Sequence, residues 1–196
     1  HMTTTNRREF LRASSLATAG ALAGGAKTLA RESPASVGPL KPALVEDLVA
    51  ANRILADNGV LDAFGHVSVR HDRNPDRFVI SRSVAPALVT PGDLIEYDLD
   101  GRGVNVNGRG EYSERFIHAE IFRARRDVNA VVHAHAPSLI PFGVTSPPLR
   151  PVYHMAGFIA EDVPVFDIRA YAGTTDMLVK DASKGRALAQ ALGNKP

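Results

Sequence analysis

Two histidines one residue apart, His133-Ala134-His135, close a short apolar run, Asn129-Ala130-Val131-Val132. In an extended backbone residues i and i+2 project to the same side. The two imidazoles could therefore reach a single divalent cation, which takes nitrogen and oxygen donors. Glu114, at the start of the apolar-periodic stretch before that run, adds a carboxylate. The same pattern also reads as a pair of polar residues at a strand edge.

A second group of polar residues lies earlier in the chain, in Gly65-His66-Val67-Ser68 and Ser81-Arg82-Ser83. A guanidinium flanked by hydroxyls suits bidentate binding of a planar carboxylate; a solvated arginine at a strand end is the competing interpretation. The 196 residues include no cysteine, which excludes thiolate ligation and disulfides alike.

These residues must be positioned by the elements around them. Leu44, Leu48, Ala51 and Leu55 recur at helical spacing and predict a helix over 43–58, stopped by Asn58-Gly59. Alternation predicts strands over 64–70 and 77–81, separated by a turn at 72–76. A third strand is expected over 94–98, with Asp100-Gly101 turning into a fourth over 104–106. A helix over 114–125 then feeds the strand at 129–132. Proline breaks 137–151 into loop with a short helix, a buried strand is expected at 164–168, and Thr174 or Thr175 should cap a last helix that Gly193 ends. A mixed sheet with helices on its faces is the simplest packing of this series.

The N-terminal region has a different character. His1-Met2 has the form of a tag remnant, and residues 3–31 resemble a twin-arginine export signal: Arg7-Arg8, then Phe10-Leu11, then a small-residue run over 13–26. A surface amphipathic helix is the alternative, and the run is shorter than the roughly 20 apolar residues of a membrane span. The expectation is periplasmic delivery with no membrane anchor once the signal is removed, a linker or arm over 32–42, and one domain over 43–196. Arg7, Arg8, Arg12, Lys27 and Arg31 face only Glu9 among residues 1–31, a net of +4 against +2 for the whole chain, so the rest is near −2 and the basic character belongs to the leader. The body has no basic stripe, and a nucleic-acid partner is not expected.

The string Ser113-Glu114, His118, then Arg125-x-Asp127-x-x-Ala130-Val131-Val132-His133-x-His135-Ala136 resembles the class II aldolase/adducin family, typified by fuculose-phosphate aldolase, from about Leu44 onward. The resemblance implies a three-layer α/β/α fold with a mixed, largely antiparallel central sheet. It also implies homotetramers with active sites between subunits. His133 and His135 would ligate a divalent metal, zinc first, with manganese, cobalt, iron or magnesium as alternatives. Glu114 would be the catalytic acid/base. The family's third histidine, from a later Gly-His-Gly-like segment, has no counterpart here; the expectation is a C-terminally truncated chain with a weak metal site and little activity.

His66 stands where the family carries Asn in its Gly-Asn-Val-Ser segment. The other phosphate-binding elements read Ser81-Arg82-Ser83 and Tyr112-Ser113, so a sugar phosphate is not expected. Together with Arg150-Pro151-Val152-Tyr153-His154-Met155, these segments look most like the decarboxylase branch, which acts on 2-hydroxy-3-carboxymuconic semialdehyde or dihydroxyphthalate-type acids. The expectation is a metal-dependent lyase acting on a small carboxylic acid through a metal-stabilised enolate. Ser81, Arg82, Ser83, Ser113 and His154 would bind substrate, and Glu114 or His66 would protonate the enolate carbon. The alternatives are an aldolase or epimerase acting on a non-phosphorylated sugar acid, and a non-catalytic adducin-like interaction module.

Overall fold

The computed structural model describes residues 33–159 and 163–195; the expected export signal lies outside them. Helix α1 (Pro42–Asp57) begins on proline, whose missing N–H costs nothing in a first turn. Strands β1 (His66–Arg70), β2 (Arg77–Ser81) and β3 (Leu94–Asp98) follow as a meander, then α2 (Arg115–Ala124) and β4 (Ala130–His133). β4 returns to pair with β1, giving the order β3-β2-β1-β4 with every pair antiparallel. Short helices α3 (Ile140–Val144) and α4 (Arg169–Ala172) lead to α5 (Ala182–Leu192).

Period-two alternation divides the sheet into two apolar faces. Val67, Val69 and Val79 pack with Leu40, Leu48 and Leu61 beneath α1. Phe78, Ile80, Ile95, Tyr97 and Val131 pack with Ile117, Ile121 and Phe122 of α2 and Ala189 of α5. The result is the expected three-layer α/β/α arrangement. Its outer pair of helices meets closely at Gly185, where a Cβ would sit 2.5 Å from the Phe116 carbonyl oxygen.

One buried arginine aligns the two elements that carry the metal-ligand candidates. Arg70, at the end of β1, donates to the carbonyls of Phe122 and Arg125 at the close of α2, to Val128 just before β4, and to Pro75. Its guanidinium also lies 4.7 Å from the centre of the Phe122 ring. Removing it would take this donor from four carbonyls at once.

Several expectations are corrected. The 104–106 strand is absent: Asn105 and Asn107 adopt positive φ, and only an isolated bridge joins Gly103 to Tyr97. Residues 163–167 are irregular, and Ile168 is buried at the start of α4 instead of within a strand. The last helix is capped by Asp181, whose carboxylate accepts from Lys184 N–H; Thr175 closes a local turn to Met177 N–H further upstream. Gly193 ends that helix at φ 57°, as its position suggests. His71 is buried: its Nδ1 accepts from Arg73 N–H, leaving Nε2–H to donate to the Gly38 carbonyl and fasten the arm before α1.

Candidate metal centre

Glu114, His133 and His135 converge. One ligand atom from each lies within 4.8 Å of the others, the only such group of three among the described residues. His133 is the last residue of β4, and its Nδ1 lies 3.9 Å from Glu114 Oε2. His135 follows with its ring edge-on to that of His133, centroids 4.7 Å apart. The two rings therefore share a side, as the i, i+2 spacing requires. Glu114 occupies the residue before α2, and its Oε1 accepts from Val179 N–H at 3.1 Å, which leaves Oε2 directed at the histidines.

The donor set suits a divalent cation. His133 Nδ1 is buried and has no hydrogen-bond partner among the described residues, an expensive condition unless something binds it. Two imidazoles and a carboxylate combine borderline nitrogen with hard oxygen donors, a set that zinc, manganese and iron accept. Burial holds the His133 imidazole below its ordinary value, against the opposing pull of Glu114, so the neutral ligating form is favoured.

Behind this group lies a buried stack of rings. His66 pairs with His133 across the β1–β4 ladder, and its ring stacks on Tyr112 at 4.1 Å. His66 Nδ1 lies 2.9 Å from the Phe64 carbonyl oxygen, so it carries the proton and Nε2 is a bare lone pair, buried and without a partner among the described residues. Burial, reinforced by His133, lowers its pKa to about 3. His118, on α2, is fully buried and hydrogen-bonded to Ser68 Oγ at 2.6 Å; desolvation, with His66 and His133 adding to it, keeps it neutral.

The remaining candidates lie elsewhere. Arg82 donates from Nε to Asp93 Oδ1 at 2.6 Å, so only its Nη edge is free among the described residues. Ser81 is buried near the Tyr112 hydroxyl, Ser83 N–H donates to the Gly110 carbonyl, and Ser113 is exposed. His154 sits on an exposed 3-10 turn (His154–Ile159), with Tyr153 as its ring neighbour. None of these five lines the groove of about 710 Å³ that opens beside Glu114, His133 and His135 and runs along β4 between Ile121, Leu188 and Leu192.

Residues 46–196 match the family model described as the class II aldolase and adducin N-terminal domain. The chain belongs to this family. It is 38% identical over 151 residues to the decarboxylase tropJ of Talaromyces stipitatus, covering 74% of the chain and 57% of that protein. It is 29% identical to the 3,4-dihydroxyphthalate decarboxylase of Arthrobacter keyseri, covering 77% and 63%. The chain thus spans about three-fifths of the length of these curated relatives. Among solved structures, an aldolase II superfamily protein from Pseudomonas syringae superposes with a TM-score of 0.65 at 26% identity, over 81% of this chain and 62% of that one. The L-fuculose-1-phosphate aldolase of Thermus thermophilus gives 0.58 at 26% identity, over 77% and 71%.

Three contributions to the site escaped the sequence reading: the Asp62 carboxylate, which meets His135 Nδ1 at 3.1 Å; the ring of Tyr112, noted there only beside Ser113, which floors the His66 ring; and the Val179 N–H that holds Glu114. Only Asp62 left a legible sign. An Asp two residues before Phe64 in a loop entering a strand is the pattern of an Asx turn, and Phe64 N–H donates to it at 2.9 Å.

Proposed function

We propose that the protein is a divalent-metal-dependent carbon–carbon lyase that decarboxylates a hydroxylated aromatic or muconic semialdehyde carboxylic acid. The observation that carries this reading is the convergence of Glu114, His133 and His135 in a chain whose relatives include proteins named decarboxylases. The fuculose-phosphate aldolase match supports the shared architecture.

His133 and His135 would hold the cation, with Glu114 Oε2 completing one side of the site. When bound, the cation supplies a Lewis acid that stabilises the negative charge left on the substrate oxygens as the carbon–carbon bond breaks. Glu114 is the residue suited to return a proton to carbon, because its Oε2 faces the site while Oε1 is anchored. His66 suits a different task. With Nδ1–H given to Phe64 and Nε2 buried, it would back the site as a neutral ring beside His133. Arg82 would offer its Nη edge to a substrate carboxylate while Asp93 fixes its Nε.

A homo-oligomer fits the distribution of apolar surface. Val144, Val152, Tyr153, Met155 and Phe158 are all exposed in a stretch that carries His154, and light scattering would read the assembly directly; a monomer at working concentration would refute it. Export through the twin-arginine route is also proposed, on the Arg7-Arg8 motif. Replacing both with Lys should hold the precursor in the cytoplasm, and undiminished periplasmic protein would remove that assignment.

The activity is tested by incubating the protein with zinc or manganese and a panel of dihydroxyphthalates, carboxymuconic semialdehydes and sugar acids. Release of CO2 that chelator abolishes is the expected result. Aldehyde release from a sugar acid would indicate an aldolase, and no turnover with any member would overturn the lyase reading.

A further inference from the structure

Asp62 sits in the loop between α1 and β1, outside every motif that the family resemblance supplies. Its Oδ1 accepts from Phe64 N–H at 2.9 Å and Gly65 N–H at 2.7 Å, so the carboxylate is held by its own backbone. His135 Nδ1 lies 3.1 Å from Oδ2 and 3.2 Å from Oδ1. An ionised carboxylate only accepts, so His135 must carry its proton on Nδ1. That leaves Nε2 as the one atom of this ring able to ligate.

The loop is seated on the end of β4, the strand that closes on His133 and leads into His135. A Cβ on Gly65 would lie 3.0 Å from the His133 carbonyl oxygen and 2.8 Å from Leu61 Cδ2. Only glycine allows this approach, which brings Asp62 to His135. The pair is too exposed, at 44% and 39% of the side chains, to add much to stability. Its effect is on orientation.

The geometry points to Asp62 as the positioning residue that fixes the tautomer and direction of His135, making Nε2 the metal donor. The inference rests on the metal reading of Glu114, His133 and His135. A carboxylate behind a metal-binding imidazole sets its tautomer and raises its basicity, and losing such a partner costs about 10–100-fold in metal affinity.

Asp62→Asn separates this role from loop support. The amide oxygen can keep the Phe64 and Gly65 N–H groups, which turns the NH2 towards His135 Nδ1. The ring would then accept there and carry its proton on Nε2, the atom needed by the cation. Ring nitrogen shifts of His135, measured on metal-free protein by 15N NMR, should report Nδ1–H in the unaltered chain and Nε2–H in the variant. Zn2+ affinity, measured against a competing chelator, should fall about 10–100-fold in the variant with its circular dichroism unchanged.

An Nε2–H tautomer in the unaltered protein overturns the inference, as does a variant whose Zn2+ affinity stays within about twofold of the original. If Asp62→Asn fails to fold, the ring measurement on the unaltered protein decides alone. If the unaltered protein takes up no Zn2+, the metal reading falls, whereas the tautomer measurement still tests whether Asp62 directs His135.

Discussion

His66 and His133 face one another in register across the β1–β4 ladder, their ring centroids 4.9 Å apart and the planes nearly perpendicular. The pairing joins the residue that replaces the expected Asn to the first candidate metal ligand. Both point to the α2 side of the sheet, because β1 and β4 are antiparallel and alternation puts Ser68 and Val131 on that same face. The candidate metal site thus has a neutral, buried row of rings behind it.

That buried row should make the metal-free fold acid-sensitive. His66 and His118 are uncharged when folded, His66 with a pKa of about 3 and His118 well below 6.5, through burial and neighbouring imidazoles. Each protonates in the unfolded chain near 6.5, so the unfolded state binds more protons as pH falls. Stability is complete above about 6.5 and drains as pH falls, at roughly 1.4 kcal/mol per pH unit for each ring that stays neutral, which for His66 continues towards about 3. His66→Asn should flatten the decline by one ring's share in urea melts at pH 7, 6 and 5 with chelator present. An unchanged slope would show that His66 titrates normally.

His133→Ala should abolish stoichiometric metal binding, read by elemental analysis after dialysis. Glu114→Gln is the sharper probe, since the amide oxygen can still accept from Val179 N–H and preserve the local fold. Turnover should fall by about 10²–10⁴-fold if Glu114 carries the proton, with melting temperature nearly unchanged. Retained turnover would assign the proton to another group.

Arg82 is bound to Asp93 in the fold, which limits its expected contribution. A buried carboxylate–arginine pair is worth about 2–5 kcal/mol on truncation, but exposed pairs are worth about 1 or less. The Arg82 side chain is 38% exposed. Arg82→Ala should therefore raise KM for an acid substrate about fivefold while leaving Zn2+ affinity alone. An unaltered KM would put Arg82 outside the substrate site.

Most of the scaffold was legible because it follows periodicity. The strands 77–81 and 94–98 and the helix preceding β1 follow directly from alternating or helical apolar spacing. The segments that misled are those in which tertiary context wins. Val104 is buried without being paired in a strand, since the positive φ of Asn105 and Asn107 turns the chain away from β3. The stretch 164–168 is apolar but makes no ladder, and Leu178 mimics a helical position while lying in the irregular approach to Asp181. In the site, His133 and His135 could be picked out by residue type and spacing, while their role and that of Glu114 came from the family resemblance. Asp62, Tyr112 and the Val179 N–H could not be placed, because long-range packing and not spacing brings them there.

The seat of the Asp62 loop provides the last prediction. Gly65→Ala introduces a methyl 2.8 Å from Leu61 Cδ2 and 3.0 Å from the His133 carbonyl oxygen, where the second contact is backbone and cannot rotate aside. The overpacking should cost about 1–3 kcal/mol and push the loop off the end of β4. Gly59 offers the control: it has φ +68° and nothing within 4 Å of a Cβ, so alanine there costs about 1–2 kcal/mol through backbone strain alone. The two variants should lose similar melting temperature, yet only Gly65→Ala should weaken Zn2+ binding, because only it displaces the backbone that carries His133 and the loop that carries Asp62. Equal Zn2+ affinity in both variants would mean that the loop's contact with β4 contributes to folding and not to the metal site.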